Sequence, residues 1–120
     1  MSRLPVVLIL FAFGCKVSKN EWIEQFEPKM IDELCKPTQY FRTCYDVDEA
    51  TCRSLTKVAL KDCIAKATLP DEFDKQAGAK AGGEIGECTG GAIEVKLQAD
   101  KRTFYAEKHV CVDPDAWRGK

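Results

Sequence analysis

Between residues 20 and 36 the chain places Trp22, Phe26, Met30 and Leu34 at every fourth position, with Ile23 and Ile31 beside them. Apolar residues at that spacing line one face of a helix. Just ahead, Ser18 and Glu21 stand in the S-x-x-E arrangement of a capping box, which gives partners to the free N–H groups of a first turn. Pro28 interrupts the pattern, so a kink or a fresh helical start is expected there. Lys36-Pro37 ends it. An aromatic and methionine stripe at this spacing reads as core and not as a cofactor box.

Residues 37–46, PTQYFRTCYD, read as a connection with aromatic content. A second helix is predicted over 47–66, capped by Asp46 or Asp48, with Cys52, Leu55, Ala59 and Cys63 on its buried face. The chain then breaks at TLPDEF and enters GAKAGGEIGECTGG, residues 78–91, which holds six of the eight glycines. Over 91–100 two periods compete. Ile93, Val95, Leu97 and Ala99 alternate with polar residues, a strand signal, whereas Ile85, Cys88, Ala92, Val95 and Ala99 fit a helix over a longer window. The helix is favoured. The tail from Thr103 reads as irregular, held by Cys111 and by Trp117 packing after the Asp113-Pro114 turn. The expected fold is mainly α: a small disulfide-stapled domain of three to four helices with an irregular C-terminal tail.

Gly78, Gly82, Gly86 and Gly90 recur at every fourth position. On a helix they would form a slowly drifting groove without side chains, open to close approach by another backbone. Each glycine costs a helix about 1 kcal/mol against alanine, so tertiary contacts must hold such a helix in place. A phosphate loop fits less well. Gly78 and Gly83 have the right separation, but Glu84 and Ile85 follow where a lysine and a hydroxyl are needed. The dinucleotide fingerprint and its preceding strand are missing too, so no nucleotide is expected. A flexible linker is the remaining alternative, disfavoured by Cys88 within the stretch and the apolar residues after it.

The chain opens MSRLPVVLILFAFGCKVSKN. Arg3 precedes ten uncharged, mostly apolar residues and then Gly14, the layout of a secretory signal. The run falls well short of the roughly 20 residues of a spanning helix. Its end, FAFGC, resembles the lipobox of bacterial lipoproteins, a resemblance confined to residues 1–16. That resemblance implies that Cys15 receives a diacylglyceryl group and becomes the first residue after cleavage. Lys16 next to it implies sorting to the outer membrane, facing the periplasm. A plain signal cleaved near the same place is the alternative. Residues 1–14 are thus expected to be a signal, 15–19 a tether, and 20–120 a single domain.

Seven cysteines is an odd number, and a lipid on Cys15 leaves six: Cys35, Cys44, Cys52, Cys63, Cys88 and Cys111. An even set suits an oxidising compartment. On one helix Cys52 and Cys63 would share a face but lie about 16 Å apart, too far for a bridge that needs Cα atoms within roughly 7 Å. Each must therefore reach another segment. Of the fifteen possible connectivities, the expected one is Cys35–Cys44, Cys52–Cys111 and Cys63–Cys88. Cys35 and Cys44 would fall on opposite faces of a helix, unlike a twin C-x9-C hairpin, and the C-x3-C of insect odorant-binding proteins is missing.

With 18 basic and 19 acidic residues the net charge is −1, no electrostatic footprint for nucleic acid. The single histidine, His109, precedes Cys111 by two and could share a face with it in an extended segment. Cys111 is better read as a disulfide partner and His109 as a surface residue, so no metal or cofactor is expected. DVDEATC lacks the glycine and the closing glutamate of a calcium loop and reads as helix capping. Glu84 and Glu87 read as solvated helix charges. YFRTCY offers Tyr40, Phe41, Arg42 and Tyr45 as a candidate partner-binding surface, since tyrosine and arginine are enriched at hot spots. Alternatively, Phe41 and one tyrosine cover the core. The function expected is that of a non-enzymatic envelope lipoprotein, anchored to the membrane by its lipid and binding an unidentified protein. It would be an inhibitor or immunity protein against a periplasmic hydrolase, or a structural or assembly lipoprotein of an envelope machine.

Overall fold

A computed structural model describes residues 16–117. The signal, the cleavage site and Cys15 lie outside the described residues.

Strand β1 (Val17–Ser18) leads directly into helix α1 (Lys19–Leu34). The capping box forms: the Glu21 amide donates to Ser18 Oγ at 3.2 Å, and the Ser18 amide donates back to Glu21 Oε1 at 3.4 Å. Pro28 neither splits nor restarts α1, which continues through it. Pro28 and Glu24, whose carbonyl loses its donor, are both exposed residues, where the loss is least costly.

The expected connection contains a short helix, α2 (Tyr40–Cys44), and α3 (Glu49–Lys66) follows. Asp48, not Asp46, caps α3 by accepting from the Thr51 amide at 2.7 Å, and this bond holds its carboxyl below the usual range. The buried face of α3 is Cys52, Thr56, Leu60 and Cys63. Leu55 and Ala59, expected at its centre, lie half-buried at its edge. Both faces share Cys52 and Cys63, and contacts with neighbouring helices select the one between them.

Strand β2 (Glu72–Phe73) pairs antiparallel with β1, Val17 opposite Phe73, a pairing too short for the sequence pattern to announce. Helix α4 (Lys75–Ala99) then takes up the glycine-rich stretch and residues 91–99 together, so the helical period wins over the alternating one. Its N-cap Asp74 accepts from the Ala77 amide at 2.8 Å. Its buried residues are Ala81, Ile85, Thr89, Ile93 and Leu97, one every four. Near the end a short helix, α5 (His109–Val112), interrupts the irregular tail.

The core has two parts. Phe41, Tyr45, Val47, Ile93 and Leu97 form one, and Leu60, Phe73, Ala81 and Ile85 the other. Along α3 and α4 the boundary falls at two fully buried threonines, Thr56 and Thr89.

The disulfides are Cys35–Cys52, Cys44–Cys111 and Cys63–Cys88. The expected pairs Cys35–Cys44 and Cys52–Cys111 are thus exchanged. Cys35 closes α1 against the start of α3, while α2 turns Cys44 toward the tail. Only the third pair has the partners that the sequence suggested.

Candidate functional site

Three features of the structure bear on function: the aromatic segment at α2, the glycine stripe of α4, and the outer face of the α3–α4 pair.

The α2 segment carries the residues expected to form a binding surface. The structure turns two of them inward: Phe41 is 5% and Tyr45 2% exposed. Tyr40 and Arg42 are half-buried. The Tyr40 hydroxyl donates to Glu94 Oε2 at 2.5 Å, and the Tyr45 hydroxyl donates to the same oxygen at 3.0 Å. Gln98 Nε2 donates to the Tyr45 hydroxyl at 3.4 Å. Burial first, then the Glu94 carboxylate, pushes the Tyr40 phenol well above its ordinary pKa. Burial does the same for Tyr45, partly opposed by the Gln98 bond. Both phenols therefore stay protonated and donate, which fastens α2 to α4. Arg42 donates to the Cys35 carbonyl at 3.0 Å, and the Tyr40 ring meets Trp117 edge-on at 5.6 Å. This quartet consequently forms a structural knot, in which Phe41 and Tyr45 cover the core and Tyr40 and Arg42 stay half-buried. Aromatic side chains in a segment stapled at Cys44 bury more apolar area by turning inward.

Glu94 and Gln98 complete this knot, and sequence reasoning did not single them out. Their spacing of four on α4 puts them on one face, but nothing local says that tyrosines arrive there.

The glycine stripe receives α1. A Cβ placed on Gly78, Gly82 or Gly86 would meet Trp22, Phe26 or Met30 respectively. Gly90 departs from the expected groove, because a Cβ there meets nothing within 4 Å. The approach is made by large side chains from α1, not by another bare backbone.

The outer face of the α3–α4 pair lies about 120° around α4 from Gly86, measured at Ala92. Leu55 and Ala59 from α3 and Ala92 and Ile93 from α4 floor a groove of about 430 Å³. Val58 lines it and is 71% exposed, while Val95, one turn of α4 beyond Ala92, is 67% exposed on the adjoining face. Asp62 and Lys96 also border it. Two apolar stripes thus run along α4. One is buried; the other, Cys88, Gly91, Ala92, Val95 and Ala99, is exposed throughout.

His109 is exposed and Cys111 is bridged to Cys44. Among the described residues no three metal-ligating side chains cluster, and no helix is long and apolar enough to cross a membrane. Glu84 and Glu87 are exposed on α4.

No curated protein and no solved structure matches the chain. A family model described as the T2SS substrate NttA matches residues 16–101, most of the chain. The chain belongs to this family of type II secretion substrates, and it is accordingly a secreted, envelope-passing protein.

Proposed function

We propose that this type II secretion substrate folds and forms its disulfides in an oxidising compartment, passes the envelope, and acts by binding another protein and not by catalysis. The bridges support the first half of this reading. They tie the end of α1 to α3, α2 to α5, and α3 to α4, a degree of cross-linking typical of small exported domains.

The observation that carries the second half is the outer face of α3–α4. Val58 stands exposed in a groove floored by apolar side chains, the exposed stripe of α4 that includes Val95 and Ala92 adjoins it, and contiguous apolar surface on a small domain marks interaction sites. Stoichiometric binding of this kind is how inhibitors and immunity proteins work, and inhibition of an envelope hydrolase is the finer form of the proposal. Capture from envelope and secreted fractions tests it, with the protein and its Val95→Glu variant as baits. A hydrolase retained by the first, lost by the second, and inhibited on binding supports the reading. Equal capture by both baits removes this face as the site.

A lipid on Cys15 is the corresponding proposal for the N-terminus, supported by FAFGC and by the even set of cysteines that remains. Replacement Cys15→Ser should then move the protein out of the membrane fraction, and unchanged fractionation refutes the anchor.

A further inference from the structure

We propose that the outer face of α3–α4 is where a second copy of this chain packs, hairpin against hairpin, about a two-fold axis through the centre of the groove. The inference rests on the reading of that face as a binding surface, and gives it a second copy as occupant in place of a hydrolase.

The first argument is that α4 is apolar on two sides. Its inner stripe is covered by α1 and α3. Its outer stripe, Cys88, Gly91, Ala92, Val95 and Ala99, carries no charge and is exposed. A helix apolar on both sides is normally covered on both. Small residues make the cover easy to seat: a Cβ on Gly91 would meet nothing, and Ala59 and Ala92 leave the groove open at its middle. Another helix can therefore approach closely.

The second argument is the placing of charge, and it selects the occupant. The Cys63–Cys88 bridge, with Cα atoms 6.0 Å apart, pins the antiparallel register of the two helices. Counting away from that bridge puts Lys96 level with Leu55, about 10 Å along the axis from Asp62. The groove thus has an acid toward one end, a base toward the other, and apolar side chains between. A two-fold axis across the helices at the groove centre exchanges its ends. It brings each Asp62 to the level of the other copy's Lys96, twice over. Isologous packing requires such self-complementarity, whereas a different partner would need no symmetry in the charges. Among the described residues each of the two groups pairs within its own helix, Asp62 with Lys66 at 2.9 Å and Lys96 with Asp100 at 3.1 Å. Exposed pairs of this kind are weak and can be shared or exchanged.

Sedimentation equilibrium of the disulfide-bonded protein over a range of concentrations tests the proposal. A reversible dimer is expected. Val95→Glu and, from the facing helix, Val58→Glu should each give a monomer with unchanged helicity and with the melting temperature that the parent protein reaches on dilution below its dimer Kd, because both positions are exposed in the single chain. Asp62→Lys alone and Lys96→Asp alone should each raise the dimer Kd about tenfold or more through like-charge juxtaposition. The two together should restore it. A protein that stays monomeric at every concentration overturns the proposal, and the capture experiment then still decides separately whether this face binds some other protein. A dimer that the valine changes leave intact, or a double reversal no tighter than the singles, also overturns it.

Discussion

The indole of Trp22 lies against Gly78 so closely that a Cβ on that glycine would sit 3.0 Å from Trp22 Nε1. The same relation repeats one turn on, with Gly82 and Phe26 at 3.3 Å, and again with Gly86 and Met30 at 3.4 Å. Helices α1 and α4 therefore run side by side in the same direction and in step. Trp22 is itself held between two rings, stacked on Phe26 at 4.5 Å and on Phe73 at 4.4 Å.

This arrangement makes the glycines unequal. Gly78→Ala should lower stability, because the sandwiched indole cannot move aside, and Gly82→Leu should cost about 1–3 kcal/mol by overpacking against Phe26. Gly86→Ala should be close to neutral, since the flexible end of Met30 can yield. Gly83→Ala and Gly90→Ala meet nothing and should each stabilise the protein by about 1 kcal/mol through helix propensity. Denaturant unfolding of the five variants checks the order.

Thr89 Oγ1 is buried without a hydrogen-bond partner among the described residues, whereas Thr56, its counterpart on α3, donates to the Cys52 carbonyl at 2.7 Å. Thr89→Val should raise stability by about 1 kcal/mol by removing an unsatisfied polar group. Thr56→Val should bring no such gain, because it also deletes a bond. Thermal melts of both variants decide the matter.

Beyond the end of α4, Lys101 adopts φ 57°, in the left-handed region, while the Arg102 amide donates to the Leu97 carbonyl at 3.0 Å. This is the helix-ending geometry that usually takes glycine. Lys101→Gly should stabilise the protein by up to about 1 kcal/mol by relieving the Cβ contact. A melting temperature unchanged or lowered would show that the lysine side chain compensates.

Tyr40 and Tyr45 both have phenol pKa values raised by folding. A raised folded pKa means that the protonated form is the one stabilised. Its contribution is complete below the unfolded value and is lost as the pH rises past it. Stability should therefore fall from about pH 10 upward, and less steeply in Tyr40→Phe. Denaturant midpoints measured across that range provide the check.

The Cys44–Cys111 bridge spans 67 residues of sequence and Cys35–Cys52 only 17. On chain entropy, loss of the first should cost about 4 kcal/mol and of the second about 3 kcal/mol. Paired cysteine-to-alanine variants compare the two, and peptide mapping without reduction tests the connectivity itself.

Much of the local structure could be read along the chain. The Ser18–Glu21 capping box, an aspartate cap before α3 and the four-residue glycine spacing each specify a helix from neighbours within a turn or two. The even set of six cysteines likewise pointed to a cross-linked, exported domain. The two-residue strands were not legible, because their pairing joins Val17 to Phe73 across the whole α1–α3 segment.

The sequence by itself determined where the three long helices begin and favoured their course, since caps and periodicity act over a few residues and need no other part of the chain. The short α2 and α5 carried no such signal. Only the tertiary structure decided which faces those helices bury. On α4 the favoured pattern of Ile85, Cys88, Ala92, Val95 and Ala99 mixes a buried residue with four exposed ones, and the alternating pattern mixes them as well. Both stripes are apolar, so periodicity cannot rank them. The choice belongs to α1 and α3, which cover one side of α4 and leave the other open. The same reason governs Tyr40, Phe41, Arg42 and Tyr45: their composition suits a binding surface or a core equally. The arrival of Glu94 and Trp117 from distant positions makes them a structural knot.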